Sequence, residues 1–351
     1  MARRVAGLTA VASGVMVRSG AEDLPRAGKV PALIGISDVE AAADLITGHV
    51  VPTPTVPSPG LTDLLGVPVT AKLELLQRTG SFKARGATAK LLSLSDAQRA
   101  AGVVAVSGGN HGIALAMTAA VLDVKATVVM PRSAPARAVG IAREAGACVR
   151  LTDDMDGAFS LVTRLRDEGL TLVHPFDDPL VIAGQGTVGL ELADDAGELT
   201  DVLVSVGGGG LIAGVAVALR ARRPGVRIWG VETEGAEAMS AALATGGPVP
   251  VELSSIVTTL SAPSVSQLTY DHVSALVDEV LVVPDREAVR GVLDLAEHAK
   301  LWTEPATGCL LPAARRVLER VGEGARLGLV VCGGNATTSD VLRWAADFGL
   351  S

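Results

Sequence analysis

Val202-Leu-Val-Ser-Val-Gly-Gly-Gly-Gly-Leu-Ile-Ala-Gly214 runs from a short apolar segment through four consecutive glycines into a second apolar segment of helical period. This is a strand, a tight loop and a helix, and it puts the loop where open α/β sheets bind ligands, outside the carboxyl end of a strand. Gly207 to Gly210 leave backbone N–H groups free to converge on an anion at the start of the helix. A phosphate cradle is expected. No Gly-Lys-Ser/Thr follows, which excludes a nucleoside-triphosphate loop. A dinucleotide reading stays open, because Gly208, Gly210 and Gly214 follow a strand and Glu232 ends the next one, where a ribose-binding acid would stand.

The same alternation extends in both directions. Apolar runs at Val103–Val106, Ala126–Met130, Cys148–Leu151, Ile228–Val231, Val280–Val283 and Leu327–Val331 alternate with longer helical segments, the habit of parallel sheets covered on both faces. Ser37 with Glu40, and Ser95 with Gln98, have capping-box spacing and predict helices starting at Asp38 and Asp96. Gly146 and Gly225 fall where helix ends or turns belong. Pro52 to Pro59 reads as an extended arm running into apolar residues 61–69. Two further loops follow strands, Ser107-Gly-Gly-Asn-His-Gly112 and Cys332-Gly-Gly-Asn335, so three loops point to one site at a shared rim.

At 351 residues the chain has room for roughly two domains of about 150 residues. Only 2% of it is aromatic, so the core is aliphatic and base-stacking platforms are scarce. The net charge of −8 gives no footprint for phosphate backbones or anionic lipid, and neither a nucleic-acid nor a membrane partner is expected. No run reaches the ~18 apolar residues of a membrane span. Cys148, Cys309 and Cys332 have neither disulfide nor zinc spacing, which suits a reducing cytoplasm. Residues 1–35 read as an N-terminal extension, since Gly7, Ser13 and Gly14 interrupt what would otherwise resemble a signal peptide.

Thr79-Gly-Ser-Phe-Lys-Ala-Arg-Gly-Ala87 sets one lysine beside a small-residue turn at the start of a helix. Phe82 and the cationic Arg85 would disfavour the ammonium form of Lys83, as an amine that attacks a carbonyl requires.

Here a resemblance enters. The stretch Lys72 to Ala87 resembles the cofactor-lysine segment of the fold-type-II pyridoxal-phosphate enzymes, the group that includes threonine and serine dehydratases and serine racemase. Ser107–Gly112 resembles their substrate-carboxylate loop, Gly207–Leu211 their phosphate loop, and Cys332–Asn335 the segment facing the pyridine nitrogen. His174 to Thr187 and Thr303 to Gly308 are similar to two further segments.

The resemblance implies a tryptophan synthase β-like α/β fold: two open, doubly wound domains with mostly parallel sheets. Residues 36–92 and 178–351 would form a large cofactor-binding domain, and residues 93–177 a smaller one that closes on substrate. Lys83 would hold pyridoxal phosphate covalently and Phe82 would pack beside the ring. Asn110 would hydrogen-bond the ring hydroxyl. Gly207, Gly208, Gly209, Gly210 and Leu211 would hold the phosphate, while Ser107, Asn110 and His111 would hold the substrate carboxylate. Cys332 would face the ring nitrogen. A homodimer is implied as well, and the 16 residues after Asn335 leave no room for the sensing domain of biosynthetic threonine dehydratases.

Two departures narrow the expected function. Serine racemase carries a second serine where this chain has Gly108, so two-faced proton transfer is disfavoured and one-base elimination by Lys83 is expected, from L-threonine or L-serine. Racemisation, β-replacement, or elimination from 3-hydroxyaspartate or phenylserine are the alternatives on the same scaffold. A nicotinamide-dependent oxidoreductase is the alternative from another class. The divalent-metal site of some relatives is matched by Glu232 and Ala236, but Ala238 stands where its aspartate would be, which weakens the metal expectation.

Overall fold

The structure, a computed structural model, describes residues 33–350. All but the last three positions of the expected N-terminal extension therefore lie outside the described residues. Among the described residues ten strands form two sheets. Six, β1 (Thr55–Pro57), β2 (Val69–Leu73), β7 (Asp201–Ser205), β8 (Arg227–Thr233), β9 (Glu279–Val283) and β10 (Leu327–Val331), assemble in the order β1-β2-β10-β7-β8-β9. Four, β3 (Val103–Val106), β4 (Ala126–Pro131), β5 (Cys148–Thr152) and β6 (Thr171–Leu172), assemble as β5-β4-β3-β6. Every pairing is parallel except β1 with β2. All strands of the smaller sheet lie within residues 103–172, and the larger sheet takes strands from both flanking segments.

The parallel rule explains why the seven apolar runs were readable. Every residue of β3, β7 and β10 is buried, as strands covered on both faces must be. Three strands were not anticipated. β1 carries Pro57, which an edge strand tolerates because one side of it has no ladder to complete. β6 is two residues long. β2 lies between β1 and β10, yet its apolar pattern is broken by Lys72, which is fully buried.

Helix starts are decided by side chains reaching back to free N–H groups. Ser95 and Gln98 form the expected capping box at Asp96: Ser95 Oγ accepts from Gln98 N at 3.3 Å and Gln98 Oε1 from Ser95 N at 3.0 Å. The first helix departs from expectation and begins at Ile36, two residues early, because the Asp38 carboxylate accepts from Gly35 N at 2.7 Å and makes Gly35 the cap. The helices Pro179–Asp195 and Gly210–Arg222 lie back to back inside the protein. A Cβ at Gly214 would sit 2.3 Å from the Ile182 carbonyl oxygen and 2.5 Å from Gly186 N, so this glycine serves helix-to-helix approach. Among the described residues no helix is long and apolar enough to cross a membrane.

Candidate active site

Lys83 is the first residue of the helix Lys83–Leu92, where the preceding turn is tied down on both sides. Phe82 N donates to the Cys332 carbonyl at 3.0 Å, and Gly334 N donates to the Gly80 carbonyl at 3.0 Å, so the lysine loop and the Cys332–Asn335 loop are laced together. The Lys83 side chain is half-buried and Nζ donates to the Pro175 carbonyl at 2.8 Å. Burial lowers its pKa from 10.5 to about 8. The anticipated charge repulsion from Arg85 is not the cause. That guanidinium is fully buried against Glu74 at 2.8 Å and Glu191 at 2.6 Å, which neutralise it behind the site.

The glycine loop reaches the lysine through one dipeptide. Pro175 takes the Lys83 proton donor, and the ring of Phe176 rests on the loop: a Cβ at Gly208 would lie 2.1 Å from that ring, and one at Gly210 2.9 Å from Phe176 Cβ. A Cβ at Gly207 would lie 2.9 Å from the Leu260 carbonyl oxygen, and Gly209 has φ +88°, a conformation that strains residues with side chains. All four positions thus require glycine. They lead into a 13-residue helix whose first N–H groups have no carbonyl a turn earlier to bond, so an anion suits this end.

Ser107, Asn110 and His111 come together at the start of the helix Asn110–Val121. Ser107 Oγ accepts from Gly109 N at 3.2 Å, closing the turn. His111 is buried, with Nε2 2.8 Å from the Val173 carbonyl, so that nitrogen carries the proton. Burial and the nearby Lys83 push its pKa down to about 3, leaving Nδ1 as a buried lone pair without a partner. A lone pair does not attract a carboxylate. What His111 can offer an anion is its backbone N–H in the first helical turn.

Cys332 is buried, with Sγ 3.2 Å from Thr307 Oγ1, and burial pushes its thiol up to about 12. It is a neutral, weakly polar group at neutral pH. His174, 4.7 Å from Phe176 in an edge-to-face pair, accepts from Asp177 N at 2.8 Å through Nδ1, which places its proton on Nε2. Burial lowers its pKa too. Pro175, Phe176, Glu304 and Thr307 carried no role in the sequence reading. They belong to the two segments His174–Thr187 and Thr303–Gly308 that had been singled out only as segments, and that was their signal.

Glu232 is not free for a ribose or a metal. Its Oε1 accepts from Met239 N at 2.7 Å and its Oε2 from Ser240 N at 2.9 Å and Ser240 Oγ at 2.7 Å, capping the helix Ala238–Thr245. Ala236 is buried in the turn just before that helix, its N–H donating to the Thr233 carbonyl at 2.9 Å. Among the described residues no three His, Cys, Asp or Glu side chains are grouped to hold a metal ion. With Glu232 committed to capping a helix, the dinucleotide alternative loses its ribose-binding acid.

The residues present do fit pyridoxal phosphate: an amine of lowered pKa, a side-chain-free anion loop one dipeptide away, and two buried polar atoms without a partner, Ser81 Oγ two residues before Lys83 and His111 Nδ1, on a ring whose pKa Lys83 helps to lower. Comparison with known proteins agrees. Residues 46–333 match the family described as pyridoxal-phosphate dependent enzyme. Phenylserine dehydratase of Ralstonia pickettii is 41% identical over 294 residues, covering 82% of this chain and 89% of that protein. L-threonine ammonia-lyase of Thermotoga maritima is 38% identical over 306 residues, covering 86% and 76%. The structure of maize serine racemase superposes with a TM-score of 0.83 at 31% identity, over 90% of this chain and 98% of that one. A lysine-and-glycine-loop site on this two-sheet frame, matched along most of the sequence, makes the chain a member of the fold-type-II family of pyridoxal-phosphate dependent enzymes.

Proposed function

We propose that the protein dehydrates and deaminates a small β-hydroxy amino acid, L-threonine or L-serine, to a 2-oxo acid and ammonia, working as a cytoplasmic homodimer. The observation that carries this reading is a single amine of lowered pKa, Lys83, in a site where Gly108 supplies no side chain to move a proton on the opposite face. Bound at Lys83, with Phe82 beside its ring, pyridoxal phosphate supplies an electron sink for a negative charge developing at the substrate Cα. Lys83, as a free amine once substrate has arrived, takes the Cα proton, and its lowered pKa makes that base available near neutral pH. The N–H groups of Gly207, Gly208, Gly209, Gly210 and Leu211 hold the cofactor phosphate at the helix start. Ser107, Asn110 and the His111 backbone hold the substrate carboxylate. Cys332, uncharged, cannot keep a ring nitrogen protonated as a carboxylate would. That weakens the sink and suits elimination, in which the leaving hydroxyl takes the electron pair promptly. The unit of residues 93–177 closes on the larger one and excludes water from Lys83.

A second reading, a larger aromatic β-substituent, is favoured by the 41% identity to the Ralstonia pickettii phenylserine dehydratase. One experiment separates these: 2-oxo acid release from L-threonine, L-serine, D-serine and phenylserine. Release from L-threonine or L-serine is expected. Release from phenylserine alone would move the assignment to the second reading, and inverted amino acid without oxo acid would overturn elimination.

A further inference from the structure

A chain of amides and one carboxylate ties four segments of the site together. Asn335 Nδ2 donates to the Thr79 carbonyl at 2.9 Å and to Asn110 Oδ1 at 2.8 Å, and Asn110 Nδ2 donates to Glu304 Oε1 at 2.6 Å. Four segments meet in it: the lysine loop, the Cys332–Asn335 loop, the first turn of the helix Asn110–Val121, and the start of the short helix Pro305–Gly308. Asn110 is 7% exposed and Glu304 5%. Glycines make room for it. A Cβ at Gly333 would come within 2.8 Å of Glu304 Oε1 and 3.3 Å of Asn110 Nδ2, and one at Gly80 within 2.4 Å of Asn335 Oδ1.

We propose that Glu304 is a positioning residue that fixes which face of the Asn110 amide is presented to the cofactor. The argument is donor and acceptor accounting. Asn335 has both observed bonds on Nδ2, so it can only donate to Asn110, and the atom facing it must be an oxygen. With the Asn110 oxygen turned to Asn335, its nitrogen faces Glu304 and needs an acceptor there, which the Glu304 carboxyl oxygen supplies. Turning the Asn110 amide over would set oxygen against carboxylate and nitrogen against nitrogen at once. One N–H of Asn110 Nδ2 is engaged by Glu304, and its second is left in a fixed direction. Burial raises the Glu304 pKa to about 7, opposed by the Asn110 hydrogen bond. That bond therefore matters to the carboxylate as much as to the amide. The proposal rests on the reading of Asn110 as the partner of the cofactor ring hydroxyl.

The test is a titration of cofactor-stripped protein with pyridoxal phosphate, followed by absorbance of the bound cofactor. Glu304→Ala should bind about tenfold more weakly with an altered band, Asn110→Ala should do the same, and the double variant should lose no more than either alone. Glu304→Gln keeps an acceptor oxygen and should bind like the unmodified protein. Should Glu304→Ala not fold by circular dichroism, Glu304→Met, which keeps bulk without an acceptor oxygen, replaces it: loss by Glu304→Met with near-normal binding by Glu304→Gln supports the proposal, and equal binding by the two overturns it. Unchanged affinity in Glu304→Ala, or losses that multiply in the double variant, would also overturn it while leaving the assigned chemistry intact. Failure of the unmodified protein to bind the cofactor at all would sink both.

Discussion

Lys72 and Lys83 stand eleven positions apart on either side of one loop, and their surroundings have nothing in common. Lys72, in the interior of the larger sheet, has no exposed surface; Nζ meets Glu191 Oε2 at 2.5 Å and the Thr53 carbonyl at 2.6 Å. Its neighbour Arg85 joins the same cluster through Glu74 and Glu191, and although burial alone would lower the guanidinium pKa, those carboxylates hold it above its ordinary value. Lys83 has a backbone carbonyl at 2.8 Å and, among the described residues, no carboxylate in its hydrogen bonds or ion pairs. In that cluster the Arg85 guanidinium is held as a cation by the carboxylates around it, whereas the Lys83 amine, desolvated without such anions, is pushed toward neutrality. The first is architecture and the second can be a base.

The sharpest way to break this contrast is to remove each group in turn. Lys83→Ala should abolish turnover, by about a thousandfold or more, and remove the visible absorbance of the bound cofactor, while the melting temperature of the cofactor-free protein stays within a few degrees. Retained turnover would end the assignment. Glu74→Ala should do the reverse, costing about 3–5 kcal/mol in chemical denaturation by leaving Arg85 short of a partner, with turnover per folded molecule largely kept. A loss below about 1 kcal/mol would mean the cluster is not structural.

The smallest effect is a pH dependence. In cofactor-free protein, labelling of Lys83 by an amine-reactive reagent should show a midpoint near pH 8, and Lys83→Ala should remove that component, while Lys72 stays unlabelled wherever the fold persists. The sign for stability follows. The folded-state pKa is lowered, so between about 8 and 10.5 the unfolded chain binds the additional proton. This group's contribution to stability is least below pH 8 and grows as pH rises through that window. A midpoint near 10.5 would place Lys83 among ordinary surface lysines.

Lys72 also shows where reading the sequence stops. The strand β2 was missed because a lysine in the middle of a buried strand contradicts the apolar pattern by which such strands are recognised, and its carboxylate partner is 119 positions away. Glu191 itself had nothing to distinguish it from a helix-surface acid. The first helix was placed two residues late because a Ser-x-x-Glu spacing competes with an aspartate that reaches back to a glycine. Gly214 looked like part of a nucleotide fingerprint, and what it packs against, the Ile182 carbonyl and Gly186 of another helix, depends on what lies across from it in the fold.

Local pattern was sufficient for whatever is enforced locally. Buried parallel strands must be continuously apolar, and a tight turn between a strand and a helix favours glycine; hence the run of parallel strands and the strand–glycine loop–helix at residues 202–222 were readable from residue order, while the division into two sheets came from the family resemblance. Packing alone decided which partners those residues have: that Arg85 is neutralised rather than repelling Lys83, that Glu232 caps a helix, that His111 shows a lone pair, and that Glu304, Asn110 and Asn335 form one hydrogen-bonded line. Each of these is a contact between residues distant in the chain or a choice among equivalent donors and acceptors, and a hydrogen bond has no direction until both of its ends are in place.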